Sequence, residues 1–150
     1  MPLPSSTELD IILLSLKVAL WSVLASLPFA LGMAHLLARR DFPGKSLLDA
    51  IVHLPLVLPP VVVGYFLLVL LGRSGPVGAW LEDWFGIVVA FNWRGAAIAC
   101  AVMGFPLMVR AMRLSIEAID LKLEAAAATL GAGRAGIFFV VTLPLALPGV

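Results

Sequence analysis

The sequence predicts an all-α transmembrane protein with three full membrane spans and the start of a fourth. Three observations support this fold class: 62% of the residues are hydrophobic, only 13% are charged, and the apolar runs are long. A water-soluble domain of this size usually has about one quarter of its residues charged. It also cannot hide so much apolar surface, because a small protein keeps a large fraction of its surface in contact with solvent. We therefore expect a lipid bilayer to be the solvent of this chain.

Four apolar segments form the predicted spans. The first contains 21 uncharged residues between Lys17 and Arg39, which at about 1.5 Å per residue cross a hydrocarbon core of roughly 30 Å. The fourth run is cut off by the end of the sequence, so we expect the natural protein to continue beyond it. The spans are predicted at about 13–38, 54–71, 93–111 and 136–150.

Positively charged residues are concentrated in alternate loops. The loops after the first and third spans contain seven Lys and Arg residues, and the loop between them contains two. Because cytoplasmic loops carry the excess of Lys and Arg, these two loops are predicted to be cytoplasmic and the N-terminus external. The protein is then a multi-pass component of the cytoplasmic (inner) membrane. Four tryptophans map to the outer half, where indole rings favour the headgroup region: Trp21, Trp80, Trp84 and Trp93.

The second span contains three prolines within six residues. Pro55, Pro59 and Pro60 lack an amide donor, and an interior proline costs a helix about 3 kcal/mol. In lipid the freed carbonyl groups need other partners, so this segment is expected to line a water-filled cavity or to be buried in protein. We therefore take Pro55, Pro59, Pro60 and Gly64 as candidate pathway or gate-proximal residues. The alternative is that the prolines only kink the helix for packing.

Other residues within the spans carry less information about function. Pro28 and Pro106 are expected to interrupt the first and third spans in the same manner, and for Pro28 we favour a kink that serves packing. Lys17 lies near the outer end of the first span, where its amine is expected to reach water. His35 is the one titratable side chain deeper in a span, and we expect it to serve packing rather than proton transfer. The energy for transport is then expected to come from another subunit.

The loop at 112–135 is predicted to be cytoplasmic and to contain a regular charge pattern. Arg113, Glu117, Asp120 and Glu124 recur at spacings of four, three and four residues. This spacing predicts that they lie on one helical stripe. Asp120 can also cap a new helix start, because a carboxylate accepts hydrogen bonds from the amides of the first turn.

A short helix is predicted over 121–130 within this loop. Its residues are mostly Ala and Leu, which are strong helix formers. Gly131 and Gly133 are expected to end it, as glycine commonly does at a helix C-terminus. Alanine side chains permit close approach of another protein surface. The alternative is a connector that happens to be rich in alanine.

This helix resembles the cytoplasmic "EAA" signature of ABC importer permeases. Glu124-Ala125-Ala126 is followed by Gly131 and then by Val141-Thr142-Leu143-Pro144, with Val in the position of Ile. Glu124 lies seven residues before Gly131, where the signature has six, so Ala125 occupies the strict glutamate position. In the family this segment is a coupling helix that docks in a groove of the ATP-hydrolysing subunit. The resemblance implies that the following residues couple the chain to that subunit: Glu124, Ala125, Ala126, Ala127, Leu130, Gly131, Ala132 and Gly133.

A finer resemblance, to the molybdate permeases of ABC importers, covers nearly the whole sequence. It is carried by residues 41–45, 53–65, 105–110 and 129–134. The resemblance implies the N-terminal part of a type I importer permease fold, in a homodimer embedded in membrane lipid. It also implies two cytoplasmic ATPase subunits and a periplasmic or extracellular oxyanion-binding protein as partners. No cofactor is expected in the chain itself, because ATP and Mg²⁺ belong to the ATPase subunit. Permeases for tungstate, or for sulfate and thiosulfate, are alternatives.

Other classes of function have less support in the sequence. A formal net charge of +1 gives no basic face for nucleic acid. We predict no catalytic residues and no metal ligands, because the chain has no nucleophile–base pair and no His or Cys cluster at metal-binding spacing. Gly72-Arg73-Ser74-Gly75 lacks the lysine and the following helix of a phosphate-binding loop, so it is predicted to be a turn. A passive channel and a structural membrane subunit are the alternatives of another class.

Overall fold

The computed structural model describes residues 6–147, and these residues form helices joined by short turns. The predicted all-α fold is confirmed, since no residue between 6 and 147 lies in a strand. In chain order the helices are α1 (Ser6–Arg39), α2 (Lys45–Val57), α3 (Pro60–Leu71), α4 (Pro76–Phe85), α5 (Trp93–Glu117), α6 (Leu121–Thr129), α7 (Arg134–Ile137), a π-helix (Phe138–Thr142) and α8 (Leu143–Ala146).

The chain divides into two compact units. The first unit contains the residues before Leu27 together with His53–Gly104, and the second contains Leu27–Val52 together with the residues after Gly104. The helices α1 and α5 contribute to both. The second unit has an apolar core built from α1, α2, α5 and α8. Its largest fully buried apolar side chains are Leu37, Val109, Met112 and Ile116.

Within residues 6–147, two helices are long and apolar enough to cross a membrane: Thr7–Arg39 and Trp93–Glu117. They contain the first and third predicted spans. The second predicted span is a bent pair, because α2 and α3 meet at an angle of 106°. The fourth begins as a shorter apolar helix, Ala135–Ala146, and its last residues, 148–150, lie outside the described part of the chain. The limits of the membrane-embedded segments stay a prediction.

The prolines differ in their effect on the helices. The predicted break at Pro106 is wrong, because α5 continues through this residue. The helix α1 likewise continues through Pro28, where a kink was favoured over a break. A single proline removes one amide donor, and the remaining hydrogen bonds of a long helix are enough to maintain it. The break between α2 and α3 occurs instead at the pair Pro59–Pro60. The α conformation is disfavoured for a residue that precedes proline, and Pro59, which precedes Pro60, has φ −55° and ψ 136°.

The helix α4 follows α3 after a tight turn and was not predicted from the sequence. Residues 72–75 form a turn, as predicted. The expectation that no helix follows them is wrong, because α4 begins at Pro76, directly after Gly75. Pro76 begins α4, and Gly86 ends it with φ +63°. The two helices approach closely at Gly78, because a Cβ atom there would overlap the backbone carbonyl oxygens of Leu71 and Gly72. Glycine at this position therefore permits the packing of α4 on α3.

Replacing Gly78 by alanine is expected to destabilise the first unit. The added methyl group must displace the backbone of α3, and overpacking of this kind typically costs about 1–3 kcal/mol. The measurement is the thermal unfolding midpoint of the full-length protein in detergent micelles. Gly104→Ala is the matched control, because its Cβ would meet nothing within 4 Å. The control is expected to be neutral or slightly stabilising, and an equal midpoint for Gly78→Ala would contradict the close packing.

Candidate functional site

The N-terminus of α6 is capped by Asp120, as predicted. Asp120 has φ −63° and ψ 121°, and its side chain accepts a hydrogen bond from the Lys122 amide at 2.9 Å. The cap satisfies an amide that the helix itself leaves without an acceptor. It also fixes the point where the chain turns from α5 into α6.

The C-terminus of α6 ends in a left-handed glycine, also as predicted. Gly131 has φ +86°, and its amide donates to the Ala128 carbonyl at 3.1 Å. The amide of Ala132 donates to the Ala127 carbonyl at 3.1 Å. These bonds satisfy carbonyl groups of the last turn. The helix observed, Leu121–Thr129, agrees with the predicted range to within one residue.

The predicted common stripe of four charged residues is wrong. Glu117 is the last residue of α5, and a turn separates it from α6. Arg113 and Glu117 pair with each other on α5, with 2.8 Å between Arg113 Nε and Glu117 Oε1. Arg113 also reaches Asp49 of α2, with 3.2 Å between Nη1 and Oδ1. The helical period is interrupted because Asp120 forms a cap rather than continuing the helix.

The predicted coupling residues divide into two groups by exposure. Ala125, Ala126, Leu130, Gly131 and Gly133 are exposed, whereas Glu124, Ala127 and Ala132 are partly buried. No residue of α6 is fully buried. The helix therefore presents the small side chains of Ala125 and Ala126, together with exposed leucines such as Leu121 and Leu123, to another protein.

Glu124 belongs to the partly buried group, and its carboxylate binds residues of two other elements. Its Oε1 atom is 2.9 Å from Arg39 Nη2 and 3.1 Å from Arg39 Nε, at the end of α1. Thr142 of the π-helix donates its hydroxyl hydrogen to the same oxygen at 3.0 Å. The side chains of Arg39 and Glu124 are only 12% and 18% exposed, so water screens this pair less than a surface pair. We call Arg39, Glu124 and Thr142 the Glu124 network.

The partners of Glu124 are not predictable from the sequence. Arg39 lies 85 residues away along the chain and Thr142 lies 18 residues away, so no helical or strand periodicity connects them. Arg39 contributed only to the count of positive charges, and Thr142 only to the resemblance. Arg39 also donates a hydrogen bond to the Ile119 carbonyl at 3.3 Å. The same guanidinium group therefore binds both α6 and the turn that precedes it.

His35 packs against the π-helix. Its ring meets that of Phe138 edge-on, with 4.8 Å between the centroids. Its Nδ1 atom is buried and has no hydrogen-bond partner in the part of the chain that the structure describes. This is the environment of a packing residue, as expected.

The candidate pathway residues are only partly brought together. A cavity of about 780 Å³ in the first unit is lined by Gly64 and by neighbours such as Val61, Tyr65 and Trp93. Pro55, Pro59 and Pro60 are not among its lining residues. Its wall is mainly apolar, so it offers no cation to pair with an anion. Pro59 and Pro60 form the break between α2 and α3, whereas Pro55 lies inside α2.

Lys17 lies against an aromatic ring in the first unit. Its Nζ atom is 4.1 Å from the centroid of the Trp93 ring. This distance places the ammonium within the range of a cation–π contact. The aliphatic stem can therefore lie along apolar surface while the indole stabilises the charge.

Comparison with known proteins gives consistent matches along the chain. Residues 26–150 match the family described as binding-protein-dependent transport system inner membrane component. The chain is 64% identical over 143 residues to the molybdenum transport system permease protein ModB of Escherichia coli (strain K12). It is 58% identical over 143 residues to the protein of the same name from Haemophilus influenzae.

Each of these two alignments covers 95% of this chain and 62% of the relative, so the chain spans less than two thirds of their length. The sulfate transport system permease protein CysT of Escherichia coli (strain K12) is 41% identical over 122 residues. That alignment covers 81% of this chain and 44% of the relative. Identity is thus higher to the molybdenum permeases than to this sulfate permease.

Replacing Arg39 and Glu124 by alanine, singly and together, tests the ion pair. Each single replacement leaves a partly buried group without its partner, so each is expected to lower the free energy of unfolding by about 1–3 kcal/mol. The double replacement is expected to cost less than the sum by about 1 kcal/mol or more, because the two changes remove the same interaction. Unfolding of the full-length protein in detergent micelles measures these differences.

The exposed pair Asp41–Lys45 serves as the control for this cycle. Its Nζ–Oδ1 distance is 2.8 Å, and the hydrogen bond from Lys45 holds the pKa of the Asp41 carboxyl below its usual value. Asp41 is 98% exposed, so the same cycle is expected to show no measurable coupling. Equal coupling in the two pairs would contradict the structural importance of the Glu124 network.

Proposed function

The chain belongs to the family of binding-protein-dependent transport system inner membrane components, and we propose that it is a permease subunit of an ATP-driven importer that carries molybdate across the cytoplasmic membrane. The observation that carries this proposal is the 64% identity to a molybdenum transport permease over 95% of the chain. Lower identity to the sulfate permease favours molybdate over sulfate as the cargo. Tungstate and sulfate are the alternative cargoes, and sulfate is the competing anion in the uptake experiment below.

We further propose that α6 couples this subunit to a cytoplasmic ATPase subunit. Two features of the helix support this role. Its ends are fixed by Asp120 and Gly131, so little conformational entropy is lost when it docks. Its exposed alanines, Ala125 and Ala126, leave room for a closely fitting groove. The partner would then bind ATP and Mg²⁺ and hydrolyse the ATP, and this chain would change conformation in response.

The remaining partners follow from the same proposal. An external binding protein delivers the anion, and two copies of the permease with two ATPase subunits complete the importer. Many apolar side chains of α1 are exposed, including Leu13, Leu16 and Phe29. Membrane lipid and the second permease copy would cover such surface, since a soluble environment would not. In this arrangement the N-terminus is external and α6 is cytoplasmic.

Cysteine labelling tests this orientation. Ala126→Cys in a Cys100→Ser background is expected to react with a membrane-impermeant maleimide in inside-out vesicles and not in intact cells. Ser74→Cys, in the turn between α3 and α4, is expected to show the opposite pattern. Both positions are exposed in the permease chain. With cells and vesicles that lack the ATPase subunit, lack of reaction on one side therefore reports on the membrane and not on burial. Labelling of Ala126→Cys from outside would exclude contact between α6 and a cytoplasmic ATPase.

Uptake into proteoliposomes tests the transport proposal. The full-length permease, its ATPase subunit and its binding protein are expected to accumulate radiolabelled molybdate only with ATP, whereas a passive channel would not need ATP.

Ala126→Trp is expected to lower uptake by about tenfold or more, because an indole side chain blocks close docking. Ser46→Trp, at an exposed position on α2, is the matched control and is expected to stay within about twofold. Stronger inhibition by unlabelled sulfate than by unlabelled molybdate would overturn the assignment of the cargo.

A further inference from the structure

Few side chains hold α6 against the rest of the second unit. None of its nine residues is fully buried, and several of its apolar side chains are largely exposed. Contacts between small alanine side chains allow one surface to slide on another, because each contributes little dispersion energy. The hydrogen bonds of Glu124 are different, since they fix both distance and direction.

One carboxylate oxygen of Glu124 is shared by donors from two elements. Two donors come from Arg39, the last residue of α1, and the third comes from Thr142, the last residue of the π-helix. Charge-assisted hydrogen bonds of this kind are shorter and about twice as strong as neutral ones. A displacement of Glu124 therefore has to displace the ends of both elements or break these bonds.

The two partners occupy unusual positions in their helices. Arg39 is a cation at the C-terminus of a 34-residue helix, where the helix dipole favours positive charge. Thr142 is only 1% exposed and belongs to a π-helix, a rare form that is frequent at functional sites. Its hydroxyl group is also 3.5 Å from the Ile137 carbonyl, five residues earlier. The network thus connects α6 to the end of one long helix and to the irregular start of the next apolar helix.

We propose that Arg39 and Thr142 are positioning residues that transmit the displacement of α6 to α1 and to the apolar helix Ala135–Ala146, with Glu124 as the shared connection. This inference rests on the proposed function, because it requires a partner that moves α6. It assigns to Glu124 an internal contact in place of the direct contact with the ATPase subunit that the resemblance implied. In this proposal the exposed alanines contact the ATPase subunit, and the partly buried carboxylate of Glu124 transmits the displacement of α6 to the two apolar helices.

The decisive variant is Thr142→Val in the full-length permease. Valine keeps the shape of threonine and removes the hydroxyl group that binds Glu124. The variant is measured in proteoliposomes with the ATPase subunit and the binding protein. The readouts are co-purification of the ATPase subunit, ATP hydrolysis without the binding protein, and molybdate imported per ATP hydrolysed.

Thr142→Val is expected to retain co-purification and basal ATP hydrolysis and to import about fivefold less molybdate per ATP, the effect of losing roughly one hydrogen bond. Thr142→Ser is expected to restore the ratio, because it restores the hydroxyl group. Ser22→Ala is the matched control, since the Ser22 hydroxyl is buried and donates within α1, to the Ala19 carbonyl at 3.0 Å. It is expected to leave the ratio unchanged.

Two further variants keep the proposal testable if Thr142→Val does not fold. Glu124→Gln retains acceptor capacity but weakens the bond to Arg39, and Arg39→Lys retains the charge but loses the second donor. Both are expected to lower molybdate imported per ATP. A ratio equal to that of the unmodified protein in all folded variants would overturn the role of the network while leaving the proposed transport intact. Absence of ATP-dependent uptake by the unmodified protein would overturn both.

Discussion

A carboxylate with little access to water is stable only when cations or hydrogen-bond donors replace the water, and this constraint organises the second unit. Glu124 obtains its donors from Arg39 and Thr142, which lie in two other elements. The polar contact holds α6 in place although none of its residues is fully buried. The surface of the helix is therefore free for another protein. A helix attached through a buried apolar face would have had less exposed surface to offer.

The position of Glu124 relative to Gly131 explains why the carboxylate points away from the exposed alanines. Successive residues of an α-helix are rotated by about 100° about its axis. Glu124 lies seven residues before Gly131, one residue earlier than the strict position, which Ala125 occupies. Ala125 is exposed and Glu124 is partly buried. A shift of one residue is thus enough to move an acidic side chain from a docking surface to an internal contact.

Features that depend on neighbouring residues were predictable from the sequence, and features that depend on distant ones were not. The caps at Asp120 and Gly131 are local, so the limits of α6 were predicted to within one residue. The bond between Arg39 and Glu124 connects residues 85 positions apart, and only the packing of the chain brings them together. The effect of the prolines depends on their arrangement and not on their number, since Pro55 lies inside α2 and the pair Pro59–Pro60 lies at its end. The structure shows that a pair, and not a single residue such as Pro28, breaks the helix.

The length of α1 has a consequence for the bilayer around it. A helix of 34 residues is about 51 Å long, whereas the hydrocarbon core is about 30 Å thick. Even a tilt of about 40° accommodates only about 39 Å of helix. If Arg39 stays at one boundary, roughly eight residues at the opposite end extend past the hydrocarbon, and these include the exposed side chains of Ile11 and Ile12. This hydrophobic mismatch favours either local thickening of the membrane or lateral association of the helix with another apolar surface.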